Sequence, residues 1–128
     1  MKRRQFFAVM GAAVASTSSS EVLAEAGGKV SNALYIVLEA KPDEGAEVAE
    51  FLRQGKALVD AEPGTTAWFS IQLGPTTFAI FDAFPDEAGR QAHLSGKVAS
   101  SLFAKAGYLL AEPPTIHKAD VLASKLPG

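Results

Sequence analysis

Between residues 33 and 123 the spacing of apolar positions switches repeatedly between the period of a strand and that of a helix. Ala33 to Lys41 (ALYIVLEAK) is rich in β-branched and aromatic residues and apolar on both faces as far as Glu39, which predicts a central strand. Pro42-Asp43 interrupts it. From Glu44 to Glu62, Val48, Phe51, Leu52, Gly55, Leu58 and Val59 recur at i, i+3, i+4, i+7 spacing, with Glu47, Glu50, Arg53 and Lys56 on much of the remaining circumference. That pattern predicts an amphipathic helix, capped by Asp43 and stopped by Pro63-Gly64.

Thr66 to Leu73 alternates, with Phe69, Ile71 and Leu73 on one face and Trp68, Ser70 and Gln72 on the other. Gly74-Pro75-Thr76 is short enough to force an antiparallel hairpin into the next strand, Thr77 to Phe84. There Phe78, Ile80, Asp82 and Phe84 share one face, and Ala79, Phe81 and Ala83 the other. Pro85-Asp86-Glu87 opens a helix, with proline near its first turn and acids at its positive end. After a break at Ser95-Gly96, a second helical piece runs from Lys97 to Leu110 on a seam of Val98, Leu102 and Ala106. Glu112-Pro113-Pro114 stops it, and Thr115 to Ala123 is the last strand.

The order is β-α-β-β-α-β, an α+β, ferredoxin-like plan with an antiparallel sheet and helices on one face. Both faces of the first and third strands are apolar, so helices on one side leave an apolar sheet face open. Such a patch is too large for a soluble monomer, and pairing with a second copy is the simplest cover, which predicts a homodimer.

Composition changes this picture little: 48% of residues are hydrophobic, 20% are charged, and net charge is −2. No basic stripe points to nucleic acid. The absence of cysteine removes thiolate nucleophiles, disulfides and thiolate metal sites. Residues 1–26 read as a leader. MKRR is a basic n-region, Phe6 to Ala15 is an apolar run too short to span a bilayer, and Ala24-Glu25-Ala26 has an A-x-A cleavage pattern. Arg3-Arg4-Gln5-Phe6-Phe7 resembles a twin-arginine signal, although Lys2 stands where Ser or Thr is usual. Export to the periplasm or beyond is the expectation, with a basic segment that stays attached in the cytoplasm as the alternative. The body is then residues 27–128, mildly acidic, with no expected membrane contact.

Candidate chemistry is concentrated between Trp68 and His93. Arg90 and His93 are three apart on one helix and share a face. A cation beside an imidazole lowers its pKa, which would leave His93 a neutral base for an acidic hydroxyl, with Arg90 holding the resulting anion. The competing reading is a solvated helix face. Trp68, the only tryptophan, is either a core or interface aromatic or a site residue whose indole N–H needs an acceptor. Asp82 either lies at the sheet edge in water or is buried with Arg90 or His93 as its partner. His117 reads as a surface residue. Two histidines without HxH or HxxxH spacing predict no metal site.

The run from Trp68 to Leu94, WFSIQLGPTTFAIFDAFPDEAGRQAHL, resembles the antibiotic biosynthesis monooxygenase superfamily, and the element order extends the resemblance over Leu34 to Leu122. It implies a dimeric α+β barrel with a cavity between sheet and helices. It also implies cofactor-independent oxidation of a small aromatic quinol or polyphenol by dioxygen, with His93, Arg90 and Trp68 as base, anion stabiliser and pocket wall. The alternative within the fold is a non-catalytic dimer that binds a small ligand or serves a structural role. Superfamily relatives that degrade haem pair a helix histidine with a tryptophan at the end of the third strand, where this chain has Phe84.

Overall fold

The period-two stretches form four strands and the helical-period stretches three helices among the residues that the computed structural model describes, 29–127. The predicted leader, residues 1–26, lies outside them. In chain order the elements are β1 (Asn32–Glu39), α1 (Gly45–Asp60), β2 (Ala67–Gln72), β3 (Thr77–Phe84), α2 (Glu87–Leu94), α3 (Lys97–Leu109) and β4 (Thr115–Asp120). The sheet runs β2-β3-β1-β4 with every pair antiparallel, the ferredoxin-like arrangement expected.

Differences from the sequence reading are confined to element ends. β1 stops at Glu39, whose carboxylate accepts hydrogen bonds from the Thr77 and Thr76 hydroxyls at 2.6 and 2.7 Å. These bonds hold it below the ordinary carboxylate range. α1 begins two residues after Asp43; Glu44 occupies its N-cap without a side-chain bond, so the expected Asp43 cap does not form. β4 ends at Asp120, three residues before the expected Ala123. α2 starts as its sequence predicts: Asp86 Oδ1 accepts the Gly89 N–H at 2.8 Å, directly after Pro85.

Alternation on the strands decides which residues face the helices. Leu34, Ile36, Leu38, Phe78, Ile80 and Phe84 pack under Val48 and Leu52 of α1 and Leu102 of α3. The opposite face carries Tyr35, Phe69, Ile71 and Phe81, all substantially exposed. No described element covers them. Trp68, Asp82 and Leu34 share the helix-facing side of adjacent strands, with Asp82 directly opposite both Trp68 and Leu34.

Candidate functional site

A buried cluster forms where three segments meet. β3 presents Asp82 toward the helices, the last turn of α2 supplies His93, and the loop after α1 supplies Glu62. His93 Nδ1 lies 2.7 Å from Glu62 Oε1, and Nε2 lies 2.8 Å from Asp82 Oδ2. Asp82 is 0% exposed, His93 4%, and the Glu62 side chain 18%, so the imidazole is held between two carboxylates away from bulk water. Thr65 donates its hydroxyl to the same Glu62 oxygen at 2.8 Å. The Phe84 ring, 5.4 Å away centroid to centroid, walls His93 on another side.

The two carboxylate contacts are not equivalent. Glu62 meets Nδ1 at hydrogen-bonding distance, whereas the Asp82 contact is at ion-pair distance without hydrogen-bond alignment, and neither Asp82 oxygen has an aligned donor. Burial pushes the Asp82 carboxyl above its ordinary 3.8, against the pull of His93. Burial alone would push His93 down. The contacts with Asp82 and Glu62 outweigh it, and His93 holds its proton above its ordinary value of 6.5. Both shifts describe one property: the cluster retains a proton.

Glycine contact positions Glu62. A Cβ on Gly89 would stand 2.5 Å from the Gly64 carbonyl oxygen, and one on Gly64 3.1 Å from the Gly89 Cα. The loop after α1 therefore rests backbone against backbone on the first turn of α2, which brings Glu62 to a histidine 31 residues later in the chain.

Glu62 also faces outward. With Trp68, Lys56, Asp60, Phe69 and Ser70 it lines a cleft of about 410 Å³ between the C-terminal end of α1 and the edge strand β2. His93 does not line this cleft; it stands behind Glu62. The Trp68 ring lies over α1, where a Cβ on Gly55 would be 3.5 Å from it, and its indole nitrogen is buried without a hydrogen-bond partner among the described residues.

The predicted site residues therefore separate. His93 contacts Asp82 and Glu62, Trp68 stands opposite Asp82 in the sheet and shares the cleft lining with Glu62, whereas Arg90 leaves the group. Its guanidinium donates to the Ala33 and Ala119 carbonyl oxygens at 3.1 and 3.2 Å and pairs with Glu87, tying α2 to β1 and β4. The expected pairing of Arg90 with His93 is thus replaced by two carboxylates, and the expected downward shift of His93 is reversed in sign. His117 is exposed on the open sheet face, its ring 5.9 Å from that of Tyr35. Sequence reasoning missed Glu62 altogether. One local signal was present: an acid just beyond the helix end, at the negative end of the dipole with no base in the last turn, is unfavourable unless something else holds it.

The cluster does not suit a metal or haem iron. Its carboxylates sit on opposite edges of the imidazole, so all three groups cannot converge on one ion. Both ring nitrogens already face an acid, and neither is available as an axial ligand.

A protein of unknown function from Nitrosomonas europaea, NE2512, is 53% identical to this chain and has the same fold, with a TM-score of 0.77 over 80% of this chain and 99% of that one. The chain belongs to the NE2512 family. Its structural neighbours are antibiotic biosynthesis monooxygenase family proteins. A protein so named is 18% identical with a TM-score of 0.63, covering 72% of this chain and 99% of that one. A second N. europaea protein, provisionally given the same name, is 19% identical with a TM-score of 0.65, covering 72% and 90%. At these identities the likeness establishes the fold. No protein-family model matches the chain, and no curated protein does. NE2512 and this chain thus share a ferredoxin-like α+β fold with proteins named as antibiotic biosynthesis monooxygenases, and none of the described helices is long and apolar enough to cross a membrane.

Proposed function

We propose that the chain is a cofactor-independent monooxygenase that oxidises a small aromatic quinol or polyphenol with dioxygen in the cleft beside Trp68. The observation that carries this reading is the buried Glu62–His93–Asp82 cluster, which places a carboxylate backed by a proton-holding imidazole at the wall of an aromatic-lined cleft. A phenolic hydroxyl bound there loses its proton to Glu62, and His93 and Asp82 stabilise the added charge change. The phenolate is a strong enough reductant to react with dioxygen directly. One oxygen atom enters the ring and the other leaves as water, so a hydroquinone and O2 give a hydroxyquinone and H2O. The ring supplies all four electrons, and the reaction asks only for a base and a partly dry pocket.

Arg90 has no part in this scheme, because its donors are used on the β1 and β4 backbone. Trp68 acts as a wall for the ring. A second reading has its own support: the same cluster ties α2, β3 and the α1 loop together, as a ligand-binding domain without turnover would also require. Oxygen uptake by the purified protein with menadiol-like quinols and anthrones, beside Glu62→Gln, separates the two. Turnover without added flavin, haem or metal, lost in the variant while the fold is kept, supports the oxygenase. Binding of the same ligands with no oxygen uptake supports the second reading.

The open sheet face, with Tyr35, Phe69, Ile71 and Phe81 exposed, is where we propose that two copies meet. Light scattering should give twice the chain mass for the wild type and a monomer for Phe81→Asp. Export through residues 1–26 is likewise a proposal, supported by the twin-arginine-like MKRRQFF start. Cell fractionation with Arg3→Lys/Arg4→Lys should hold the protein in the cytoplasm.

A further inference from the structure

We infer that the Trp68 cleft selects phenols carrying a cationic amine over the same ring carrying a carboxylate. The inference rests on the reading that this cleft is the substrate site, and it adds the charge of the substrate. Three charged side chains line the cleft: Lys56, Asp60 and Glu62. Lys56 Nζ is bound by Asp60 Oδ2 at 2.7 Å, so those two charges largely cancel. Glu62 remains, and behind it the His93 cation is shared with a second carboxylate, Asp82. With His93 protonated, the five groups sum to one negative charge; with His93 neutral, to two.

Among the described residues, Lys56 is the one cation in the lining, and Asp60 already holds it. Arg90 on α2 is consumed by two carbonyls of β1 and β4 and by Glu87. An anionic substituent would find only Lys56, and taking it would leave Asp60 unpaired beside the incoming charge. An ammonium group meets the opposite situation. It finds acceptors in the Asp60 and Glu62 carboxylates and an aromatic surface in Trp68, the arrangement that recognises a cation on an aromatic ring. Close to the protein surface such charge differences are worth about a tenfold change in affinity or more, and they weaken as salt is added.

Trp68 makes this directly measurable, because it is the only tryptophan in the chain and lines the cleft. The full-length protein is titrated at low ionic strength with tyramine, with 3-(4-hydroxyphenyl)propionate and with 4-ethylphenol, reading quenching of tryptophan fluorescence. These three share a ring and a two-carbon arm and differ in charge. Tyramine should bind roughly tenfold or more tighter than the acid, with ethylphenol between them, and the gap should narrow as salt rises. Asp60→Asn, a change at an exposed helix end, frees Lys56 and should shrink or invert the preference. Equal or tighter binding of the acid to the wild type overturns the inference, as does an absence of quenching by all three. A protein that consumes oxygen with neutral quinols but shows no preference for tyramine would retain the oxygenase and lose this inference. Preference without oxygen uptake would do the reverse.

Discussion

Arg90 and His93 stand one turn apart on α2, both buried, and their charges are accommodated in opposite ways. Arg90 is neutralised at one side by Glu87 and otherwise spends its donors on carbonyl oxygens of β1 and β4, groups that do not titrate. His93 is placed between two carboxylates, so its surroundings compete for the same proton. The first arrangement fastens a helix to a sheet. The second fastens three segments and also stores a proton beside a cleft. Two residues that share a helix face in sequence thus serve different ends, because that face meets β1 and β4 at Arg90 and β3 at His93.

The largest test of this contrast is removal of the imidazole. His93→Ala leaves Asp82 and Glu62 facing each other without a cation, and should cost about 3–5 kcal/mol in urea unfolding, the range for breaking a buried ion pair. For that reason it is a poor probe of catalysis, and Glu62→Gln is the better one. Arg90→Met should cost less, about 1.5–3 kcal/mol for lost charge-assisted hydrogen bonds, and should leave the alkaline-side pH dependence of stability unchanged.

That pH dependence is the next test. His93 and Asp82 both have folded pKa values above their unfolded ones, so the folded protein binds more protons and each contribution is lost as pH rises. For His93 the stabilisation is full below 6.5 and disappears as pH climbs through the raised folded value. Melting temperature should therefore decline on the alkaline side of 6.5 in the wild type, and the decline should flatten in Asp82→Asn, where His93 loses one acid. An identical slope in both proteins would contradict the assignment.

Gly89→Ala probes the contact that joins the two halves of the cluster. Its Cβ would collide with the Gly64 carbonyl and push the loop outward, costing about 1–3 kcal/mol in the manner of an overpacked site. Glu62 should retreat with the loop, so the titration midpoint of His93 should fall, whereas Arg90→Met should not move it. The smallest effect belongs to Glu87→Gln, whose side chain is half exposed beside Arg90. Its change should lie within the scatter of a melting curve.

Much of this fold was legible because periodicity is local. The alternation from Thr77 to Phe84 gave β3 its ends and both of its faces, and the Pro85-Asp86-Glu87 signal placed the start of α2. Asp43 misled because any acid before a helix reads as a cap, and the choice between Asp43 and Glu44 depends on how the chain leaves β1. The site was legible only as a set of residue types. Trp68, Asp82 and His93 stood out, and Asp82 with His93 was one of the pairings open, yet the second partner of His93, Glu62, lies 31 residues away on a loop whose approach depends on two glycines in contact. Spacing along one helix suggested Arg90 in that role. Nothing in a single helix can show which strand each of its residues will meet.

The most direct test of the central claim is an NMR pH titration of the His93 ring in the wild type and in Glu62→Gln, with His117→Gln used to assign the two histidines. A midpoint above 6.5 that drops when Glu62 loses its charge is the predicted result. A midpoint at or below 6.5, or one indifferent to Glu62, would mean that the two carboxylates do not hold a proton on His93, and the proton-accepting site proposed beside Trp68 would fall with it.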